Sequence, residues 1–394
     1  MITANPMPTI PFEAYRQRWE KTKAMMEQQQ LDLLIAYADD RAVFGPAHAR
    51  WLANFPVHFE PVCILMPRRG EPIMLCGPES QEYARLAGQI SDTRVLREFT
   101  HPDEDYPYSR IQGLAEIVAE VMGGLETVQR VGLAGRSLMN ADVLHAFNQC
   151  LPAAQWVDAE EALCGLRAQK SPAELEVIRY AYQIAEAGMT AAIEAIRVGV
   201  TEREVAAEAE AAMRRAGAEG TGIDTIVASG PNARPILARS TLRRIQANEL
   251  VLLTVAPRYE GYHAAIGRPV TVGSQPDQIV RAIEAARRAQ EACFQALGPD
   301  IAGAEVEKIG RDIMEAAGFG QYFLYSGIHS VGVIEFEPPI FGPSSEARLK
   351  KDMVVSVDIP LFNAPWGGLR VEDGYLITAT KAERLNDIPY RIEK

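Results

Sequence analysis

Four ionisable side chains in the second half of the sequence are of the types that move protons or hold cations: His263, His329, Asp358 and Glu372. Imidazoles suit proton transfer near neutral pH, and carboxylates can orient a histidine, hold a water or pin a cationic group. His329, Asp358 and Glu372 lie in three separated segments. If the fold gathers them, burial of the two carboxylates demands pairing, protonation or an ion. A His–carboxylate pair meets that demand without metal. One divalent ion on His329, Asp358 and Glu372, with a coordination position left open to activate water, meets it as well. His263 stands two residues before Ala265, and on a common strand both would project to one face. The structural alternative for His263 is a hydrogen-bonded core histidine. Tyr262, Glu337 and Arg370 are candidate substrate contacts beside this group. Glu335 and Glu337 flank Phe336, so the two carboxylates share a face, either solvent or cleft. Arg268 and Arg370 can neutralise neighbouring carboxylates.

Elements able to position these groups follow from hydrophobic patterning. An amphipathic helix is predicted from Phe12 to about Gln30, its methionines packing underneath. Strands follow at Leu31 to Tyr37, Val62 to Pro67, Pro72 to Cys76 and Arg130 to Ala134, with a helix over Ile111 to Met122. This alternation describes an α/β domain over residues 1–165. The remainder, 166–394, opens with Ser171 as N-cap and Pro172 at the first helical position. It continues with a helix at Glu202 to Ala216 and strands at Asp224 to Ser229, Leu250 to Ala256 and Gly267 to Val272. Helices at Gln278 to Leu297 and Ile301 to Ala317 precede final strands at Met353 to Ile359 and Gly374 to Ala379. Helices layered on a mostly antiparallel sheet make this half α+β.

The chain has 394 residues and a net charge of −12, which argues against nucleic acid or an anionic membrane as main partner. No apolar run is long enough to span a bilayer. Five scattered cysteines without a CxxC pair suit a reducing compartment, and Met1 to Tyr15 lacks a secretory-signal pattern, so a cytoplasmic location is expected.

Several segments, in order, resemble the creatinase and aminopeptidase P (M24) family. Lys170 to Arg179 is similar to the family's opening helix, Ser229-Gly230-Pro231-Asn232 to its Ser-Gly-x-Asn loop, and Tyr259-Glu260-Gly261-Tyr262 to its Tyr-x-Gly-Tyr turn. His329-Ser330-Val331-Gly332, Glu337-Pro338-Pro339, Met353 to Pro360 and Gly368 to Asp373 resemble its later motifs. The resemblance implies a C-terminal pita-bread fold preceded by a creatinase-type N-terminal domain, and a homodimer in which that domain completes the partner's cleft.

In the family's peptidases two Asp, a His and two Glu hold two metals. The matching positions here are Thr254, Ala265, His329, Asp358 and Glu372, so both Asp are missing. The loop His corresponds to Leu237, and the additional Glu of creatinase to Gly267. Tyr262-His263 resembles a Tyr-His of the metal-free ectoine hydrolases, where His263 would replace the lost loop His. Phe59 and Glu60 match a creatinase segment that binds substrate across the dimer.

The expectation is therefore a metal-free, creatinase-type hydrolase of C–N bonds in small, non-peptide molecules. His263, His329, Asp358 and Glu372 would be catalytic, Phe59, Glu60, Tyr262, Glu337 and Arg370 would bind substrate, and there would be no dinuclear metallopeptidase centre. A peptide- or protein-binding module and a mononuclear metal hydrolase are the alternatives.

Overall fold

The computed structural model describes residues 7–41 and 43–394. They form two compact units, Ile10–Arg167 and Ala168–Lys394, the second joined by the described residues ahead of Ile10.

The first unit is built on a mixed seven-stranded sheet in the order Ile111–Gln112, Thr93–Leu96, Ile73–Cys76, Val62–Pro67, Leu33–Ala38, Arg130–Ala134, Gln155–Asp158. Leu33, Ile35, Cys63, Leu65, Leu75, Val131 and Leu133 face one core with Ile117, Val118, Val143 and Phe147 from the covering helices. The Phe12–Gln28 helix buries Tyr15, Trp19, Thr22, Met25 and Met26, the stripe that a 3.6-residue period requires. One expectation fails locally. Ile111 and Gln112 pair with Val95 and Leu96 as an edge strand, and the helix begins only at Leu114, because Gly113 takes the extended backbone of an N-cap. Short helices at Ala47–Ala53, Gln81–Ala87 and Ala141–Cys150 were not evident in the pattern.

The second unit opens with the Pro172–Ala195 helix. Ser171 and Glu174 form a reciprocal capping box there, as Thr201 and Glu204 do for the Glu202–Arg215 helix. The main sheet runs Glu337–Ile340, Ile328–Ser330, Val354–Ala364, Gly367–Ile377, Ile266–Val272, Glu249–Val255, Ile226–Ser229. The last two long strands form one hairpin, beginning at Gly367 rather than Gly374. Period-two alternation sorts their side chains. Val355, Val357, Ile359, Leu361, Leu369, Val371 and Tyr375 pack against the Asp277–Ala296 and Gly303–Ala316 helices. Ser356, Asp358, Arg370 and Glu372 lie on the opposite face.

Candidate metal centre

Register assembles the site. Asp358 pairs directly with Glu372, Glu372 with Gly267, and Gly267 with Thr254, one row across four strands. One step along, His329 pairs with Ser356. Side chains opposite one another on one face have Cβ atoms about 5 Å apart. Residues distant in sequence therefore meet by strand pairing alone.

His329 is buried, and its Nδ1 lies 3.0 Å from the Ser330 carbonyl. That contact is satisfied by an Nδ1–H donor, which leaves the Nε2 lone pair directed at Glu372, 3.8 Å from Oε1. Burial lowers the imidazole pKa and favours this neutral form, against the opposing pull of Glu372. The Ser356 hydroxyl donates to Glu372 Oε1 at 2.8 Å and fixes that carboxylate. Glu335 reaches the same point from the loop after Gly332. It is buried, and burial first, then the charge of Glu372, raises its pKa. One ligand atom each from His329, Glu335 and Glu372 lie within 4.8 Å of one another. The Phe336 ring, half exposed, covers the imidazole with centroids 4.3 Å apart.

Asp358 is held differently. Its Oδ2 accepts a short hydrogen bond from the Tyr325 hydroxyl and lies 3.1 Å from Arg370 Nε. The guanidinium also donates to Tyr325 Oη at 2.6 Å and to Thr254 Oγ1 at 3.4 Å, and lies 3.8 Å from Glu372 Oε2. Burial raises the Asp358 pKa, and Arg370 is the largest force pulling it back. Gly267 gives the arginine stem its room, since a Cβ there would strike Arg370 Cγ and Cδ at 2.7 Å.

Two ions coordinated by the family's five positions do not fit these residues, since Thr254 and Ala265 supply a hydroxyl and a methyl where carboxylates are needed. A single ion does fit the imidazole and two carboxylates of His329, Glu335 and Glu372. The expected mononuclear set contained Asp358; Tyr325 and Arg370 draw that carboxylate to themselves, and Glu335 stands in the group instead.

Other expected site residues lie elsewhere. His263 is not on the strand that follows Ala265. Glu260 and Gly261, both at positive φ, close a tight hairpin that places Tyr262–His263 in a separate three-stranded sheet. The His263 ring packs on Gly222 with Nδ1 3.1 Å from the Gly332 carbonyl. Buried Tyr262 donates to Glu174 Oε1 at 2.6 Å and braces the first helix of its unit. Glu337 is fully buried against Lys170 Nζ at 3.4 Å. In the other unit, Glu60 turns inward and accepts the Glu79 and Ser80 amides at 3.2 and 2.7 Å, whereas Phe59 is 61% exposed. Arg268 pairs with Asp373 on the sheet's reverse face. Sequence reasoning missed Tyr325 and Ser356. Glu335 was visible only as one of two alternating carboxylates.

Comparison with known proteins gives this geometry a family. Residues 176–379 match the model of metallopeptidase family M24, and residues 18–169 that of the creatinase/prolidase N-terminal domain. An Xaa-Pro dipeptidase of Pyrococcus furiosus is 30% identical over 358 residues, covering 91% of this chain and 97% of that protein. One from Lactobacillus delbrueckii subsp. lactis is 28% identical, covering 78% and 81%. The prolidase structure from Pyrococcus furiosus superposes with a TM-score of 0.77 at 25% identity, covering 93% and 99%. The prolidase of Pyrococcus horikoshii gives 0.81 at 24% identity, covering 95% and 99%, which supports the pita-bread fold.

These relatives overturn the expectation of a creatinase-type hydrolase of non-peptide C–N bonds standing apart from the metallopeptidases. They give no support to a metal-independent, creatinase-like placement either. With its creatinase/prolidase N-terminal domain and its pita-bread C-terminal domain, the chain belongs to metallopeptidase family M24.

Proposed function

We propose that this protein is a peptidase acting on short peptides of the Xaa-Pro class with one divalent ion per chain. The observation that carries the reading is the convergence of His329, Glu335 and Glu372 within 4.8 Å at the sheet of an M24 domain. Its relatives named as Xaa-Pro dipeptidases supply the substrate class. A bound ion would supply Lewis acidity and a water made acidic enough to attack at neutral pH. The chain's own residues prepare the site. Ser330 directs the imidazole through its carbonyl, Ser356 orients Glu372, and Arg370 holds a fixed positive charge beside Asp358. Phe336 offers the substrate an apolar surface over His329.

The working unit in this reading is a cytoplasmic homodimer, with domains over 1–165 and 166–394. The exposed Phe59, five free cysteines and the change of compact unit after Arg167 support those features. Among the described residues no helix is long and apolar enough to cross a membrane.

The test is release of proline from Xaa-Pro dipeptides by chelated protein reloaded separately with Mn²⁺, Co²⁺ or Zn²⁺. Hydrolysis restored by an ion, at a ratio near one per chain, is the expected result. Protein that carries its ion yet cleaves no peptide in the panel would overturn the reading.

A further inference from the structure

We infer that Glu335 is a recruited metal ligand, taking the place in the coordination set from which Arg370 and Tyr325 have withdrawn Asp358. The inference deepens the peptidase reading by naming the ligands of its ion.

Every atom the group presents is an acceptor. His329 Nε2 is a lone pair once Nδ1 donates to Ser330, and Glu335 and Glu372 bring two buried carboxylates. Like charges this close in a dry site repel, and a cation or a shared proton relieves them. Glu335 has no ion-pair partner among the described residues. Glu372 Oε2 is buried without a hydrogen-bond partner, its nearest cation being the Arg370 guanidinium at 3.8 Å. That guanidinium is committed to Asp358, Thr254 and Tyr325. Asp358 Oδ1 also lacks a hydrogen-bond partner, but the 4.8 Å set does not include Asp358.

Sequence and geometry are linked by this division. A carboxylate at 254 would face the guanidinium, which instead meets a threonine hydroxyl. Any side chain at 267 would collide with the arginine stem. Arg370 thus provides a covalently fixed cation on one side of Glu372 and leaves the other side, lined by His329 and Glu335, to an ion.

The experiment titrates chelated protein with Zn²⁺ and Co²⁺, reading stoichiometry by elemental analysis and calorimetry, and the cobalt environment by its visible absorption. The parent chain is expected to bind one ion. Glu335→Gln should weaken binding by at least about 100-fold, the scale of losing a ligand rather than a supporting contact. Glu335→Asp should recover part of that loss, and Asp358→Asn should stay within a few-fold of the parent. Circular dichroism and melting of each metal-free variant separate loss of a ligand from loss of fold. Two ions per chain, no ion, or binding lost in Asp358→Asn but kept in Glu335→Gln would overturn the assignment. An ion held through Glu335 without any peptide cleavage would overturn the peptidase reading and leave this assignment standing.

Discussion

At the scale of single residues, burial decides what each charged group can do. His48, buried in the N-terminal unit, joins Glu160 at 3.1 Å through Nε2 and Arg167 at 3.1 Å through Nδ1. Burial pulls the Glu160 carboxyl upward, but the His48 hydrogen bond, the Gly135 amide and Arg167 outweigh it and hold the pKa at about 2. A depressed carboxylate contributes stability that is present above its unfolded pKa and is lost as pH falls through its folded value. Because the Glu160 side chain is 45% exposed, solvent screening reduces the contribution to about 1 kcal/mol. Glu160→Gln should therefore unfold more readily than the parent at pH 7. The difference should shrink as pH falls from about 4.5 to about 2, a trend that denaturant titrations across that range would detect.

At the scale of elements, the Ser229-Gly230-Pro231-Asn232 motif is a clamp. Glu202, the first residue of its helix, is fully buried and accepts from Ser229 N and Oγ, Asn232 Nδ2, and Thr241 N and Oγ1, all at 2.7–2.9 Å. One carboxylate thus ties the loop between Ser229 and Thr241 to a helix N-terminus, where negative charge is also favoured. Glu202→Ala would strand buried donors and should cost about 3 kcal/mol. Arg234 and Arg239 lie in that loop and are exposed. Limited trypsinolysis should then cut the variant after Arg239, the Arg234–Pro235 bond being resistant, at concentrations that spare the parent. Cutting at equal rates would show that the loop is held by other contacts. The basic residues of this segment are partly structural, since Arg243 pairs with Glu249.

At the scale of the whole molecule, the formal charge of −12 on 394 residues disfavours nucleic acid or an anionic membrane as main partner. The proposed homodimer predicts a sedimentation-equilibrium mass of twice 43.3 kDa at micromolar concentration. Phe59, exposed on a left-handed backbone and stacked on His101 at 6.1 Å, is the N-terminal residue to probe first. A chain that sediments as a monomer would remove Phe59 from the proposed substrate contacts, which depend on a partner.

Much of this molecule was determined by the sequence itself. Apolar periodicity, the Ser171-Pro172 helix start and the ordered motifs from Lys170 to Asp373 suffice for two units, the antiparallel second half and the family. The absence of carboxylates at 254 and 265 is likewise a matter of composition, and it excludes the five-residue two-metal set. Which of the remaining ionisable groups share a site was decided only by the tertiary structure. Pairing register puts Asp358 opposite Glu372 and His329 opposite Ser356, the Gly261 turn carries His263 onto another sheet, and Lys170 engages Glu337. Tyr325 and Arg370 capture Asp358, and Glu335, in the sequence only one of two alternating carboxylates, enters the group from the loop after Gly332. Side-chain type is written locally. The partner of a buried charge is set by strand register and by the nearest opposite charge in three dimensions.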